Sequence, residues 1–113
     1  MREDIPPGTL DMLILRTLAR SPARLHGFEI AEAIAGTSNG VFVVEEGSLY
    51  PALQRILVQG WISGDWGRTV DNRRARYYRV TAAGHRQLAR AIKSYGRVTQ
   101  AIAAILDLSP SGA

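Results

Sequence analysis

Trp61-Ile62-Ser63-Gly64-Asp65-Trp66, the polar run Gly67-Arg68-Thr69-Val70-Asp71-Asn72-Arg73-Arg74, and Ala75-Arg76-Tyr77-Tyr78-Arg79-Val80 form the stretch that decides the fold. The two outer segments are rich in aromatic and β-branched residues and alternate in polarity. Two such segments around a polar loop read as a β-hairpin. The alternation puts Ile62, Trp66, Tyr78 and Val80 on the inward face.

Upstream of the hairpin, Leu49, Leu53, Ile56 and Leu57 recur at i, i+4, i+7, i+8, the stripe of a helix of about three turns. Pro51 is tolerated only in a first turn, where its missing N–H has no intrahelical acceptor. The helix start is therefore expected near Gly47-Ser48, with Ser48 as cap, and Gly60 ends the helix as a C′ residue. Further back, Ile30 and Ile34 with Ala31 and Ala33 make a second helix over 27–36, which His26 opens as a capping or packing residue. Thr37 to Gly40 form a loop, and Val41 to Val44 a short strand or extended link. Leu10, Leu13, Ile14 and Leu18 make a first helix over 9–20, with Thr9 as N-cap and Asp11 near its positive end. Residues 1–7 read as a flexible arm ending in Pro6-Pro7.

Downstream, Thr81 caps a long helix. Leu88, Ile92, Tyr95, Thr99, Ile102 and Leu106 lie 4, 3, 4, 3 and 4 apart, a heptad seam. Residues 81–107 would span about 40 Å, whereas a body of roughly 80 residues is near 30 Å across. A helix longer than its body cannot hide its seam internally, so the seam predicts a two-fold partner, unless Gly96 bends the helix back. Leu88, Ile92, Tyr95, Ile102 and Leu106 are the predicted dimer contacts. Residues 108–113 read as a disordered tail. The order helix, helix, helix, hairpin, helix is the winged-helix layout: a mainly α fold with a small β-hairpin. The winged helix-turn-helix domain occupies 8–80, and a C-terminal dimerisation helix follows at 81–107.

Charge points to the partner. The 113 residues carry 14 basic and 10 acidic side chains, net +4, but unevenly. Residues 1–60 hold five arginines against seven acids, whereas 61–113 hold eight arginines and Lys93 against Asp65, Asp71 and Asp107. Arginine offers a planar fork matched to phosphate and guanine edges. Arg68, Arg73, Arg74, Arg76 and Arg79 fall in or beside the hairpin loop, the composition a wing needs to follow phosphates or enter a minor groove. The outward face of the third helix holds Ser48, Tyr50, Pro51, Gln54 and Arg55, whose groups suit phosphates, adenine and guanine. Double-stranded DNA is therefore the expected partner. The rival reading, a winged-helix protein-interaction module, predicts weak binding to generic DNA with little salt dependence.

Other classes find no support. Cysteine is absent, which removes disulfides and thiolate chemistry and fits a reducing cytoplasm. His26 and His85 sit on different elements, no base or nucleophile joins Glu45-Glu46, and no metal-ligand spacing or phosphate loop occurs. No catalytic residue, metal or cofactor is expected. Neither a membrane span nor a signal peptide is expected, and the anticipated location is the cytoplasm, at the nucleoid when on DNA.

Gly8-Thr9-Leu10-Asp11, His26-Gly27-Phe28-Glu29-Ile30, Glu46 to Leu53, and Asn72 to Gly84 together resemble the PadR-like bacterial transcriptional regulators, over roughly residues 8–106. The resemblance implies a winged helix, a C-terminal dimerisation helix and usually repression. It puts Ser48, Tyr50, Pro51 and Gln54 on the recognition helix and Arg73, Arg74 and Arg76 on the wing. The chain is similar to the short subgroup with a single C-terminal helix. Phe28 stands where the pattern often has Tyr, and Tyr95 where many short members have Trp. Some relatives bind flat aromatic compounds near the dimer interface. A small aromatic effector is thus a further partner class, for which Phe28, Trp61, Trp66 and Tyr95 are the candidate lining.

Overall fold

The computed structural model describes residues 1–108. The expected disordered tail at 108–113 therefore lies, beyond Leu108, outside the described residues. The elements run α1 (Leu10–Arg20), β1 (Leu25–His26), α2 (Gly27–Thr37), α3 (Glu46–Val58), β2 (Ile62–Arg68), β3 (Arg74–Val80) and α4 (Ala82–Ile105). Three helices, a hairpin and a last helix follow one another as expected, so the fold is mainly helical with a small antiparallel sheet.

One core unites the elements. Ile14, Leu15 and Leu18 of α1 are buried against Ile30 and Ile34 of α2, Leu49, Ala52, Leu53 and Ile56 of α3, Ile62 and Tyr78 of the hairpin, and Leu88 of α4. Burial of these side chains, at about 1.5–3 kcal/mol for each large one, is the principal force holding the layers.

The caps decide where helices begin and end. His26 and Glu29 form a reciprocal box: the Glu29 N–H donates to His26 Nδ1 at 3.4 Å and the His26 N–H to Glu29 Oε1 at 3.0 Å. α3 ends in a Schellman motif at Gly60, φ +78°, where the Trp61 N–H reaches Ile56 O and the Gly60 N–H reaches Leu57 O, both at 3.0 Å. Thr81 performs two tasks. Its Oγ1 accepts from the Gly84 N–H at 3.0 Å and donates to Gly60 O at 2.6 Å, which fixes the departure of α4 to the end of α3. Gly84 then passes so close to the hairpin that a Cβ would overlap the Trp61 carbonyl oxygen.

Several expectations need correction. Thr9 occupies the N-cap position of α1, but its hydroxyl donates to Pro6 O at 2.7 Å and caps no N–H. α3 starts at Glu46 after Glu45, so Ser48 is inside the helix and caps nothing. Pro51 consequently lies in the second turn. It deprives the Gly47 carbonyl of its intrahelical donor, which solvent replaces because Gly47 is exposed. Of the two readings of Val41 to Val44 the extended link holds, and the strand not expected is β1, pairing Leu25 with Tyr78 and His26 with Tyr77 in a sheet of order β1-β3-β2. Residues 1–7 form no regular element. They are tied down by the Glu3 N–H to Val41 O at 2.8 Å and by the Arg2–Glu45 ion pair at 2.9 Å.

α4 does not bend back at Gly96. It is one unbroken helix, and the described chain measures 51 × 32 × 25 Å. Leu88, expected in the seam, is buried in the single-chain core at 4% exposure. It faces α1's layer and has no surface left for a partner. From Ile92 onward the seam is open to solvent.

Candidate nucleic-acid interface

The hairpin leaves the body as it rises. Cross-strand pairs Ile62–Val80, Gly64–Tyr78, Trp66–Arg76 and Arg68–Arg74 share one face, because directly opposed residues point the same way. Ile62 and Tyr78 at the base are buried, and burial pushes the Tyr78 phenol pKa above its ordinary value. Trp66 has the inward parity expected of it yet is 58% exposed, since the body has ended by that level. Its inward burial is thus corrected. Instead the Arg74 guanidinium lies 4.2 Å from the indole centroid and that of Arg76 6.0 Å.

The turn at the tip is held by its own polar groups. The Thr69 N–H donates to Arg73 O at 2.8 Å, the Asn72 N–H to Thr69 O at 2.9 Å, and Arg68 Nη1 to Asn72 O at 3.1 Å. Asn72 takes φ +60°, a left-handed conformation that Asn tolerates better than most residues. Tyr77 buttresses the other face: its hydroxyl donates to Arg68 O at 3.1 Å, His26 meets its ring edge-on at 5.3 Å, and Arg24 stacks on it at 4.5 Å.

Arg73, Arg74 and Arg76 line one groove of about 860 Å³ together with Trp66, Tyr50 of α3 and Phe28 of α2. Glu29, Glu32 and Asp71 line it too, Glu29 being engaged in the cap of α2. Tyr50 reaches this groove because Gly27 gives it room: a Cβ there would sit 3.0 Å from the Tyr50 hydroxyl. The structure thus brings together Tyr50, Arg73, Arg74 and Arg76. Ser48, Pro51 and Gln54 are exposed on α3 but do not line this groove. Arg55 is not free: its Nη2 binds Asp11 Oδ1 at 2.8 Å, clasping α3 to α1, and this hydrogen bond and charge raise its pKa further. Arg68 is spent on the turn, and Arg79 points to the opposite sheet face beside Ser63.

Trp66 lines the groove although the sequence does not nominate it for DNA, and neither does it nominate Gly64 and Arg24, which pack beside the groove against Arg76 and Tyr77. Arg24 lies in a linker, and only the β1–β3 pairing carries it to Tyr77. The four aromatics named for an effector do not converge: Phe28 and Trp66 share the groove, Trp61 packs on the core, and Tyr95 is exposed on α4. Among the described residues no three His, Asp or Glu side chains are grouped to hold a metal ion. None of the described helices is long and apolar enough to cross a membrane.

Known proteins share this architecture. The model of the transcriptional regulator PadR-like family matches residues 14–90. An uncharacterized protein of Lysinibacillus sphaericus is 31% identical over 99% of this chain and 97% of its own length. A transcriptional regulator from Clostridium thermocellum superposes with a TM-score of 0.75 at 26% identity, covering 84% of this chain and 90% of that one. A PadR-like transcriptional regulator from Bacillus cereus gives 0.72 at 26% identity, covering 88% and 92%.

Proposed function

The chain belongs to the transcriptional regulator PadR-like family, and from that premise we propose that it represses transcription by binding a pseudo-palindromic operator as a homodimer. It is a DNA-binding regulator, not an enzyme. The observation that carries the finer reading is the groove shared by Tyr50 of α3 and Arg73, Arg74 and Arg76 of the hairpin. A helix and a basic ribbon that meet at one groove suit a duplex, with α3 in the major groove and the ribbon on the adjoining backbone or minor groove. Ser48, Pro51 and Gln54 complete the face that α3 offers, Gln54 with the donor–acceptor pair that suits adenine.

The open seam of α4 supports the homodimer. Ile92, Tyr95, Ile102 and Leu106 are between 42% and 58% exposed along one helix, and a second copy would cover them symmetrically. Two copies related in this way offer two α3 helices to half-sites about one DNA turn apart. Such a regulator works in the cytoplasm, at the nucleoid.

The test is fluorescence anisotropy on a duplex from just upstream of the chain's own gene and on a scrambled duplex, across a salt series. Tight, salt-steep binding that prefers the native duplex is expected. Weak binding to both, with little salt dependence, would instead favour a protein-interaction module.

A further inference from the structure

Trp66 is a large apolar side chain left mostly in water, an arrangement that burial alone does not explain. Its neighbours explain it. Arg74 stacks on the indole at 4.2 Å, and Arg76 stands 6.0 Å from it on the same sheet face. Arg76 also crosses Gly64 so closely that a Cβ there would lie 2.7 Å from its Nε, and that Nε is buried without a hydrogen-bond partner. Both guanidinium groups are therefore held by faces: one by an indole, the other in a slot made by an absent side chain. Holding a guanidinium by its face leaves the in-plane Nη–H donors for an acceptor even where, as in Arg76, Nε is buried, which an ammonium could not achieve. A long arginine side chain otherwise loses rotamer freedom when it binds.

We propose that Trp66 is the positioning residue of the hairpin's DNA contact: its indole, with the slot at Gly64, holds Arg74 and Arg76 in the groove they share with Tyr50, ordered before DNA arrives. This rests on the DNA-binding reading above. Trp66 acts through the two arginines, so its effect vanishes when they are absent. Gly64 acts through Arg76 alone.

The experiment measures anisotropy on the duplex from upstream of the chain's own gene for Trp66→Leu, Trp66→Phe and Gly64→Ala. Trp66→Leu is repeated in an Arg74→Ala/Arg76→Ala background, and thermal melts accompany every variant. Trp66→Leu is expected to weaken binding about three- to thirtyfold, the range that cation–π contacts span, while Trp66→Phe stays within about threefold of wild type. Gly64→Ala weakens binding less than Trp66→Leu, with the melting midpoint nearly unchanged because only a flexible side-chain end must move. In the background lacking both arginines, Trp66→Leu has no further effect. Full binding by Trp66→Leu, or an equal loss with and without the arginines, overturns the proposal while the DNA reading stands. No binding by the wild-type chain removes that reading and the proposal with it.

Discussion

The two halves of α4 carry one spacing of apolar residues and meet opposite surroundings. In the first half Gly84 touches the hairpin backbone and Leu88 enters the core. In the second, Ile92, Tyr95 and Ile102 keep the same stripe at 42% to 50% exposure, and Leu106 continues it at the C-cap. The helix is continuous across the change, so the difference lies in what surrounds it: the body of the chain runs out. The hairpin divides in the same way, with Ile62 and Tyr78 buried at its base and Trp66, Arg73 and Arg74 exposed toward its tip. In both elements the near part stabilises one chain, and the far part is what the proposed second copy and duplex would use.

The sharpest break in this comparison comes from a charge in the open half. Ile102→Asp should abolish self-association, because a carboxylate in an apolar seam costs about 3–5 kcal/mol when unpaired. Each chain should still fold, as Ile102 is half-exposed in the single chain. Sedimentation and circular dichroism together read the two effects, and a variant that still forms dimers refutes the seam. The matching change in the closed half, Leu88→Ala, should cost about 2–5 kcal/mol of folding stability through the cavity it leaves. Its denaturant midpoint should fall accordingly, and a midpoint equal to wild type would mean that Leu88 is not core. Gly84→Ala comes next, at about 1–3 kcal/mol, since the added methyl must push α4 from the Trp61 carbonyl. Thermal melting checks it.

The smallest effect on the fold, and the most specific one on DNA, belongs to the hairpin tip. Replacing both Arg73 and Arg74 with Ala should leave melting nearly unchanged, because both side chains are exposed. It should flatten the slope of log affinity against log salt by about 2, one for each phosphate that an arginine no longer neutralises. An unchanged slope would detach the hairpin from the DNA.

The helices, the hairpin and the seam are legible in the sequence because each is a periodic pattern, and periodicity is local. Where cover ends is not. Leu88 and Ile92 belong to one stripe, and only the position of α1 and its neighbours makes the first core and the second surface. Trp66 repeats the lesson, since its parity is readable and the height of the body beside it is not. Pro51 shows a different limit. The missing N–H points to a first-turn position, yet Gly47 is exposed and solvent serves its carbonyl, so the helix begins earlier. β1 has two residues, too few for any alternation to register, and the route that carries Arg24 to Tyr77 is hidden with it. Arg55 reads as an outward base-reader from its helix face. Its partner Asp11 is distant in sequence, and pairings of that kind are fixed only by the packing of α1 on α3.

The most direct test is the number of chains on one duplex, measured by sedimentation velocity with the labelled DNA from upstream of the chain's own gene. If the open half of α4 is completed by a second copy and each copy contributes one reading face, the complex contains two chains per duplex. Ile102→Asp then forms no such complex at the same concentration. A stable complex of one chain per duplex, unaffected by Ile102→Asp, would contradict the account.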